Sequence, residues 1–315
     1  MALTVKPILP RFGAEVSGID ISKPLDADAR REVVDTMDRW GVCVYRNTGL
    51  DDETHIAFSR IFGHLELAPA MKGRTPRFAH RELFDAGNLD VNGNIITDES
   101  LLLHKKGDRL WHTDSSFMEK RTSYSLLLAH EVPPEGGKTW FADTRSAYDD
   151  LPQAMKDRIE HLELEHSLWH SRKLAGFPLT DADVDARPKV RQPLVMPQAS
   201  TGRKALYVAA HASDVVGMPR EEGRALIAEL IAFATQPQYV FSVDWQPGDL
   251  VIWDNLASMH RGGDYDAHRY RRDMRRTTVR EGTPPDIADD PFSDYFRASL
   301  TSGPQVAQAA GAANV

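Results

Sequence analysis

Residues 123–143 have the sequence SYSLLLAHEVPPEGGKTWFAD, in which two apolar runs flank a turn rich in proline and glycine. Runs rich in Leu, Val, Tyr and Trp predict β-strands, and the Pro-Pro-Glu-Gly-Gly segment predicts the turn between them. Comparable runs follow at residues 205–211 (ALYVAAH), 239–245 (YVFSVDW) and 249–255 (DLVIWDN). Many short strands bounded by turns predict a mainly β fold with peripheral helices, specifically a double-stranded β-helix, or distorted jelly roll.

Apolar residues at helical spacing predict the peripheral helices. The predicted helices cover residues 26–40, 51–62 and 152–161, and a fourth starts near Pro219. Gly41 and Gly63 follow the first two helices as stop signals. We expect a single catalytic domain over residues 1–301. The tail, residues 302–315, is rich in Ala, Gly and Gln, and we expect it to be disordered.

Composition excludes several classes of protein. The chain has 315 residues, of which 41% are hydrophobic and 27% charged, as in ordinary globular proteins. Its formal net charge of -8 argues against a nucleic-acid partner, and the arginine-rich run 269–280 is interleaved with a strand pattern. Cys43 is the single cysteine, which excludes an intramolecular disulfide and a cysteine-based zinc site. Without a signal-peptide pattern or a membrane-spanning run, we expect a cytoplasmic protein with no membrane partner.

A candidate metal site lies in the sequence WHTDSSF, residues 111–117. His112 and Asp114 are two residues apart, and in an extended segment such side chains point the same way. His260 follows the predicted strand 249–255 and supplies a third ligand from elsewhere in the fold. Two histidines and one carboxylate form the facial triad typical of non-haem Fe(II) oxygenases, although zinc binds such ligands as well.

Arginines follow the third ligand in the sequence RRDMRRTTV, residues 271–279. Strand alternation predicts that Arg272 and Arg276 lie on one face, where a guanidinium binds a carboxylate in a bidentate manner. This pattern suits a dicarboxylate that chelates the metal at its other end. Arg271 and Arg275 are expected to be solvated charges at a strand edge.

Several motifs in order resemble the taurine dioxygenase family, most closely its 2,4-dichlorophenoxyacetate dioxygenase branch. They are FGHLE (62–66), LWHTDSSF (110–117), VPPEGGKTWFADTRSAYDDLP (132–152), GRKALYVAAHAS (202–213), GDLVIWDN (248–255), MHRG (259–262) and RRDMRRTT (271–278). The resemblance extends over nearly the whole chain. It implies a jelly-roll enzyme that binds Fe(II) through His112, Asp114 and His260 and uses 2-oxoglutarate and O2 as cosubstrates.

The resemblance also implies roles for other residues. Thr139 and Arg272 would hold the distal carboxylate of 2-oxoglutarate, and Arg276 would serve the substrate or the cosubstrate. The stretch before the arginine pair is one residue longer than the family pattern, so it leaves the choice between Arg271 and Arg272 open. For the substrate carboxylate, the candidates are Lys72, in MKGRTPRF (71–78), and Ser116.

The implied reaction is hydroxylation of a small anionic substrate next to a heteroatom. With an aryloxyacetate such as 2,4-dichlorophenoxyacetate, the products are a phenol, glyoxylate, succinate and CO2. Taurine or another alkylsulfonate is the alternative substrate. A zinc hydrolase and a non-enzymatic jelly-roll binding module are the alternatives of other classes. The resemblance further implies a homo-oligomer.

Overall fold

The computed structural model describes residues 3–68 and 75–286. Lys72 and the tail 302–315 therefore lie outside the described residues. The strands are β1 (Thr4–Pro7), β2 (Ala14–Ser17), β3 (Val42–Tyr45), β4 (Phe84–Asp85), β5 (Thr122–Glu131), β6 (Thr139–Asp143), β7 (Glu163–His166), β8 (Val190–Pro193), β9 (Val195–Pro197), β10 (Lys204–Leu206), β11 (Ala212–Val215), β12 (Val240–Val243), β13 (Leu250–Asp254), β14 (Ser258–Gly262) and β15 (Asp273–Arg280). The helices are α1 (Ala27–Trp40), α2 (Asp52–Ser59), α3 (Glu99–Lys105), α4 (Thr144–Asp150), α5 (Gln153–Ile159), α6 (Leu168–Leu174), α7 (Asp181–Asp185) and α8 (Arg220–Ala234).

Two sheets enclose the core that carries the site. The larger has seven strands in the order β1-β2-β3-β13-β5-β15-β4, and the smaller has three in the order β12-β6-β14. Val44, Leu127 and Val251 of the larger sheet pack in one buried cluster with Phe141 and Phe241 of the smaller sheet. The two sheets therefore face each other across this cluster, and the expected mainly β architecture with peripheral helices is confirmed.

The connection between β13 and β14 carries the chain from one sheet to the other. β13 pairs with β3 and β5 in the larger sheet, whereas β14 pairs with β6 in the smaller one. Only residues 255–257 separate the two strands. On β14, His260 lies opposite Phe141 of β6. This crossing places His260 on the inner face of the smaller sheet.

Helix α1 begins and ends where the sequence signals predict. The side chain of Asp26 accepts a hydrogen bond from the Ala29 N–H at 2.8 Å, which caps the helix N-terminus. Gly41 follows the helix with a φ of 69°, a conformation that favours glycine. Val33 and Met37 are buried in a second core cluster, which covers the outer face of the larger sheet.

The predicted strand at residues 205–211 is mostly wrong. β10 ends at Leu206, and residues 207–211 form a buried segment outside any strand. There the Ala210 N–H donates to the Trp111 carbonyl at 2.9 Å and the Ala212 N–H donates to the Ala209 carbonyl at 2.9 Å. Burial explains the apolar composition of this segment, which the sequence pattern could not distinguish from a strand.

No helix among the described residues combines the length and the apolar character that crossing a bilayer requires.

Candidate metal centre

The structure brings the three predicted ligands together. His112, Asp114 and His260 are buried, and their candidate ligand atoms all lie within 4.8 Å of one another. The two histidines also form a backbone bridge: the His112 N–H donates to the His260 carbonyl at 2.9 Å, and the His260 N–H donates to the His112 carbonyl at 2.8 Å. Main-chain pairing therefore sets the spacing of the two imidazoles.

Side-chain contacts orient each imidazole. His112 Nδ1 lies 2.8 Å from the Leu110 carbonyl, so the tautomer with the proton on Nδ1 leaves Nε2 as a metal ligand. The ring of His260 packs against Trp253, with ring centroids 4.6 Å apart. His260 Nε2 lies 3.8 Å from Asp114 Oδ2, across the space that the three side chains surround.

Asp114 is held by a buried frame of hydrogen bonds. The Ser125 hydroxyl donates to Asp114 Oδ2 at 2.7 Å. Asn255 Oδ1 accepts from the Asp114 N–H and from Trp253 Nε1, both at 3.0 Å. Because both of these donors are N–H groups, they fix the orientation of the Asn255 amide, and its Nδ2 donates to Ser125 Oγ at 2.9 Å. The Ser125 proton is thereby directed to the carboxylate.

Charge and burial set the protonation of the ligands. Burial raises the pKa of Asp114, but the neighbouring Arg276, 2.5 Å from Oδ1, and the other nearby groups outweigh burial and hold it well below its usual range. Burial holds the pKa of His260 well below its usual range, and His112 acts in the same direction. At neutral pH the centre thus offers an ionised carboxylate and a neutral imidazole, which are the forms that bind a divalent metal.

Arg271 and Arg272 point in different directions. The exposed Arg271 pairs with Glu131 at 2.9 Å, as expected for a strand-edge charge. Arg272 is partly buried: its Nη1 donates to the Ala86 carbonyl at 2.5 Å, and burial lowers its pKa. Ala86 packs against the core cluster between the sheets. Of the two candidates, Arg272 is therefore the one directed towards the interior.

Arg275 and Arg276 lie on opposite faces of β15. Arg276 reaches Asp114, whereas Arg275 forms ion pairs with Asp52 at 2.7 Å and with Asp273 at 2.9 Å. The expectation that Arg275 is a solvated charge is wrong, because it is partly buried among these carboxylates. Arg272, which was predicted to share a face of this strand with Arg276, precedes β15, and the pairing of β15 with β5 shifts register between Asp273 and Met274.

The other predicted residues lie at defined places. Thr139 is buried, and its hydroxyl accepts a hydrogen bond from Trp245 Nε1 at 2.9 Å. Ser116 is fully buried, with Oγ 3.2 Å from His211 Nδ1. The ring centroid of His211 lies 6.1 Å from that of His112. Ser116 therefore borders the centre through His211.

Sequence reasoning did not identify the frame around Asp114. Asn255 and Ser125 are separated from each other by 130 positions in the chain. The available signal was the Asp-Asn pair that ends β13, a polar pair directly after an apolar run. A polar residue at such a strand end is a candidate for supporting a site.

A mainly β fold with a buried cluster of two histidines and one carboxylate is typical of mononuclear non-haem iron oxygenases. Residues 4–278 match the family described as "Taurine catabolism dioxygenase TauD, TfdA family", and the chain belongs to this family. The expected family and its closest branch are confirmed, and with them the expectation of a 2-oxoglutarate-dependent dioxygenase that uses Fe(II).

Relatives of known activity align with nearly the whole chain. The chain is 41% identical over 282 residues to an alpha-ketoglutarate-dependent 2,4-dichlorophenoxyacetate dioxygenase of Cupriavidus pinatubonensis, covering 89% of this chain and 98% of the relative. It is 32% identical to an (S)-phenoxypropionate/alpha-ketoglutarate-dioxygenase of Sphingobium herbicidovorans, and the match covers 86% of this chain and 92% of the relative. The crystal structure of AAD-2 in complex with Mn(II) and N-oxalylglycine superimposes with a TM-score of 0.81 at 39% identity, covering 90% of this chain and 99% of AAD-2.

Proposed function

We propose that this protein uses Fe(II), 2-oxoglutarate and O2 to hydroxylate an aryloxyalkanoate on the carbon next to the ether oxygen. An aryloxyacetate such as 2,4-dichlorophenoxyacetate would give a phenol and glyoxylate, together with succinate and CO2. One observation carries the proposal: a buried His-Asp-His cluster lies in a chain that is 41% identical to a 2,4-dichlorophenoxyacetate dioxygenase over 98% of that enzyme.

Within this function, His112, Asp114 and His260 hold the iron. The ligand chemistry fits, because a carboxylate kept ionised by Arg276 and an imidazole kept neutral by burial suit a divalent cation. When bound with 2-oxoglutarate and O2, the iron supplies the oxidising chemistry. The task of the protein is to position the substrate carbon and to exclude water from the buried centre.

Thr139 and Arg272 bind the distal carboxylate of 2-oxoglutarate in this proposal. Arg272 suits the role because, within residues 3–68 and 75–286, it forms no ion pair with an acidic side chain, whereas Arg271 pairs with Glu131. Arg276 holds Asp114 and also serves the cosubstrate or the substrate. Lys72 and Ser116 remain proposed contacts of the substrate carboxylate.

The same proposal includes the finer architecture and the setting of the enzyme. The two facing sheets form a distorted jelly roll, and residues 1–301 form one catalytic domain. The enzyme acts as a homo-oligomer in the cytoplasm. These assignments rest on the family and on the core shared by the two sheets.

Anaerobic reconstitution tests the metal and cosubstrate together. We expect the wild-type apoprotein with Fe(II) and 2-oxoglutarate to show the weak visible metal-to-ligand absorption of the chelate, and His112→Ala to lack it. Absence of the band in wild type would refute the proposal. Admission of O2 with phenoxyacetate should then form succinate and phenol.

The choice of substrate separates the alternatives. Turnover of taurine or another alkylsulfonate in place of phenoxyacetate would show the same chemistry on a different substrate. Hydrolysis without O2 and 2-oxoglutarate would instead show a zinc hydrolase. Binding of the acid without turnover would show a binding module.

A further inference from the structure

Arg172 is a partly buried cation that lacks an acidic partner. In the described portion of the chain, its guanidinium forms neither an ion pair nor a hydrogen bond, whereas the adjacent Lys173 pairs with Asp181 at 2.9 Å. Burial lowers the pKa of Arg172, and the charge of Asp108 opposes this shift. A guanidinium that is only partly buried and has no acidic partner can be reached by an anionic ligand and bind it.

The fold places this guanidinium against the turn that leads to a metal ligand. Arg172 lies on α6 and packs against Gly107, where a Cβ would come within 1.9 Å of Nη1. The Gly107 carbonyl accepts from the Leu110 N–H at 3.1 Å, and the Leu110 carbonyl lies 2.8 Å from His112 Nδ1. Arg172 therefore contacts the backbone that supports His112.

His211 connects Arg172 with the same side of the centre. The N-cap residue of α6, Ser167, donates its N–H to the His211 carbonyl at 2.8 Å. Burial chiefly lowers the pKa of His211, and the charges of His112 and Arg172 add to this effect. The ring of His211 lies 4.9 Å from that of Phe117. Helix α6, which carries Arg172, is thus joined through Ser167 to His211, and the ring of His211 packs against Phe117.

Arg276 and Arg272 already have other roles in the proposed function. Arg276 is bound to the Asp114 carboxylate, and Arg272 donates to the Ala86 carbonyl. We propose that Arg172 binds the carboxylate of the aryloxyalkanoate substrate, so that this arginine selects acids over uncharged analogues. The inference rests on the proposed function. A guanidinium suits this role because it binds a carboxylate through two parallel hydrogen bonds.

Comparison of an acid with its uncharged amide tests the role of the charge. We would measure kcat/KM from succinate formation for phenoxyacetate and phenoxyacetamide with wild type, Arg172→Gln and the neighbouring control Lys173→Gln. Because Arg172→Gln loses a charge-assisted hydrogen bond, its kcat/KM for phenoxyacetate should fall by about tenfold to a hundredfold, and its kcat/KM for phenoxyacetamide should not change. The control should keep the wild-type preference for the acid.

Two further variants keep the test independent of folding. Arg172→Lys should recover part of the preference for the acid. Gly107→Ala should lower kcat/KM for phenoxyacetate more than for phenoxyacetamide, because the added methyl displaces the guanidinium. Equal losses for acid and amide, or no loss for either, would overturn the inference while the proposed function stands. Failure of wild type to oxidise any aryloxyalkanoate would overturn both.

Discussion

Ser125→Ala should weaken metal binding without touching a ligand atom. Ser125 is fully buried and donates to Asp114 Oδ2 at 2.7 Å. A hydrogen bond to a charged group contributes about 1.5–3 kcal/mol, which corresponds to about a tenfold to hundredfold change in a dissociation constant. Changes in the groups that hold a ligand in other metal sites have effects of the same size, about 10- to 100-fold.

The same substitution should also destabilise the metal-free protein. In the wild type, Asn255 Nδ2 donates to Ser125 Oγ at 2.9 Å, so the alanine variant leaves this buried donor without its acceptor. An unsatisfied buried donor costs about 1–3 kcal/mol of unfolding free energy. Urea denaturation of the apoprotein measures this loss, and anaerobic titration with Co(II), followed by visible absorption, measures the metal dissociation constant.

A second serine on the same strand provides the control. The Ser123 hydroxyl donates to the Val279 carbonyl at 3.3 Å and takes no part in the side-chain frame around Asp114, and the Ser123 carbonyl that accepts from the Asn255 N–H is kept in the alanine variant. Ser123→Ala should therefore bind Co(II) with wild-type affinity. The reasoning is refuted if Ser125→Ala retains the wild-type dissociation constant, or if both serine variants lose affinity equally.

Three other variants test separate parts of the structure. Arg272→Gln should raise the KM for 2-oxoglutarate by about tenfold to a hundredfold, whereas Arg271→Gln should leave it unchanged; the reverse result would assign the cosubstrate to the surface arginine. Burial raises the pKa of Asp254 from its usual 3.8 to about 6, so the folded state binds a proton more tightly than the unfolded chain does. This stabilisation is fully present only below the unfolded pKa of 3.8 and is lost as the pH rises through about 6. The unfolding free energy of Asp254→Asn relative to wild type should therefore increase by about 2 kcal/mol between pH 4 and pH 7, and a constant difference would contradict this. Gly41→Ala should lower the unfolding free energy by about 1–3 kcal/mol, because Gly41 has a φ of 69° and its Cβ would lie 2.6 Å from Arg145 Nη2; an unchanged thermal midpoint would exclude this strain.

The clustering of the three candidate ligands was predictable because their signals are local. His112 and Asp114 lie two residues apart, and His260 follows an apolar run that forms β13 almost as predicted. Strand alternation likewise predicted that Arg275 and Arg276 lie on opposite faces of the strand. Each signal lies within a short stretch of sequence, and for Arg275 and Arg276 the alternation along β15 determines which way each side chain points.

The supporting contacts were not predictable because they join distant parts of the chain. Asn255 meets the Asp114 backbone across 141 positions, and Arg275 meets Asp52 across 223. Only the packing of the two sheets brings such residues together, and periodicity within a segment carries no information about it. The predicted strand at residues 207–211 was wrong for a local reason, because a buried loop is as apolar as a buried strand.

The backbone bridge between His112 and His260 makes these two amides natural reporters of local opening. Each N–H is shielded by the carbonyl of the other residue, at 2.9 and 2.8 Å, so solvent deuterium can replace either proton only when the bridge separates. The bridge also joins the segment before Asp114 to β14, and its separation requires the metal centre to come apart. Deuterium uptake at these two positions should therefore slow together when a divalent ion binds, which gives a readout of site occupancy that needs neither turnover nor colour.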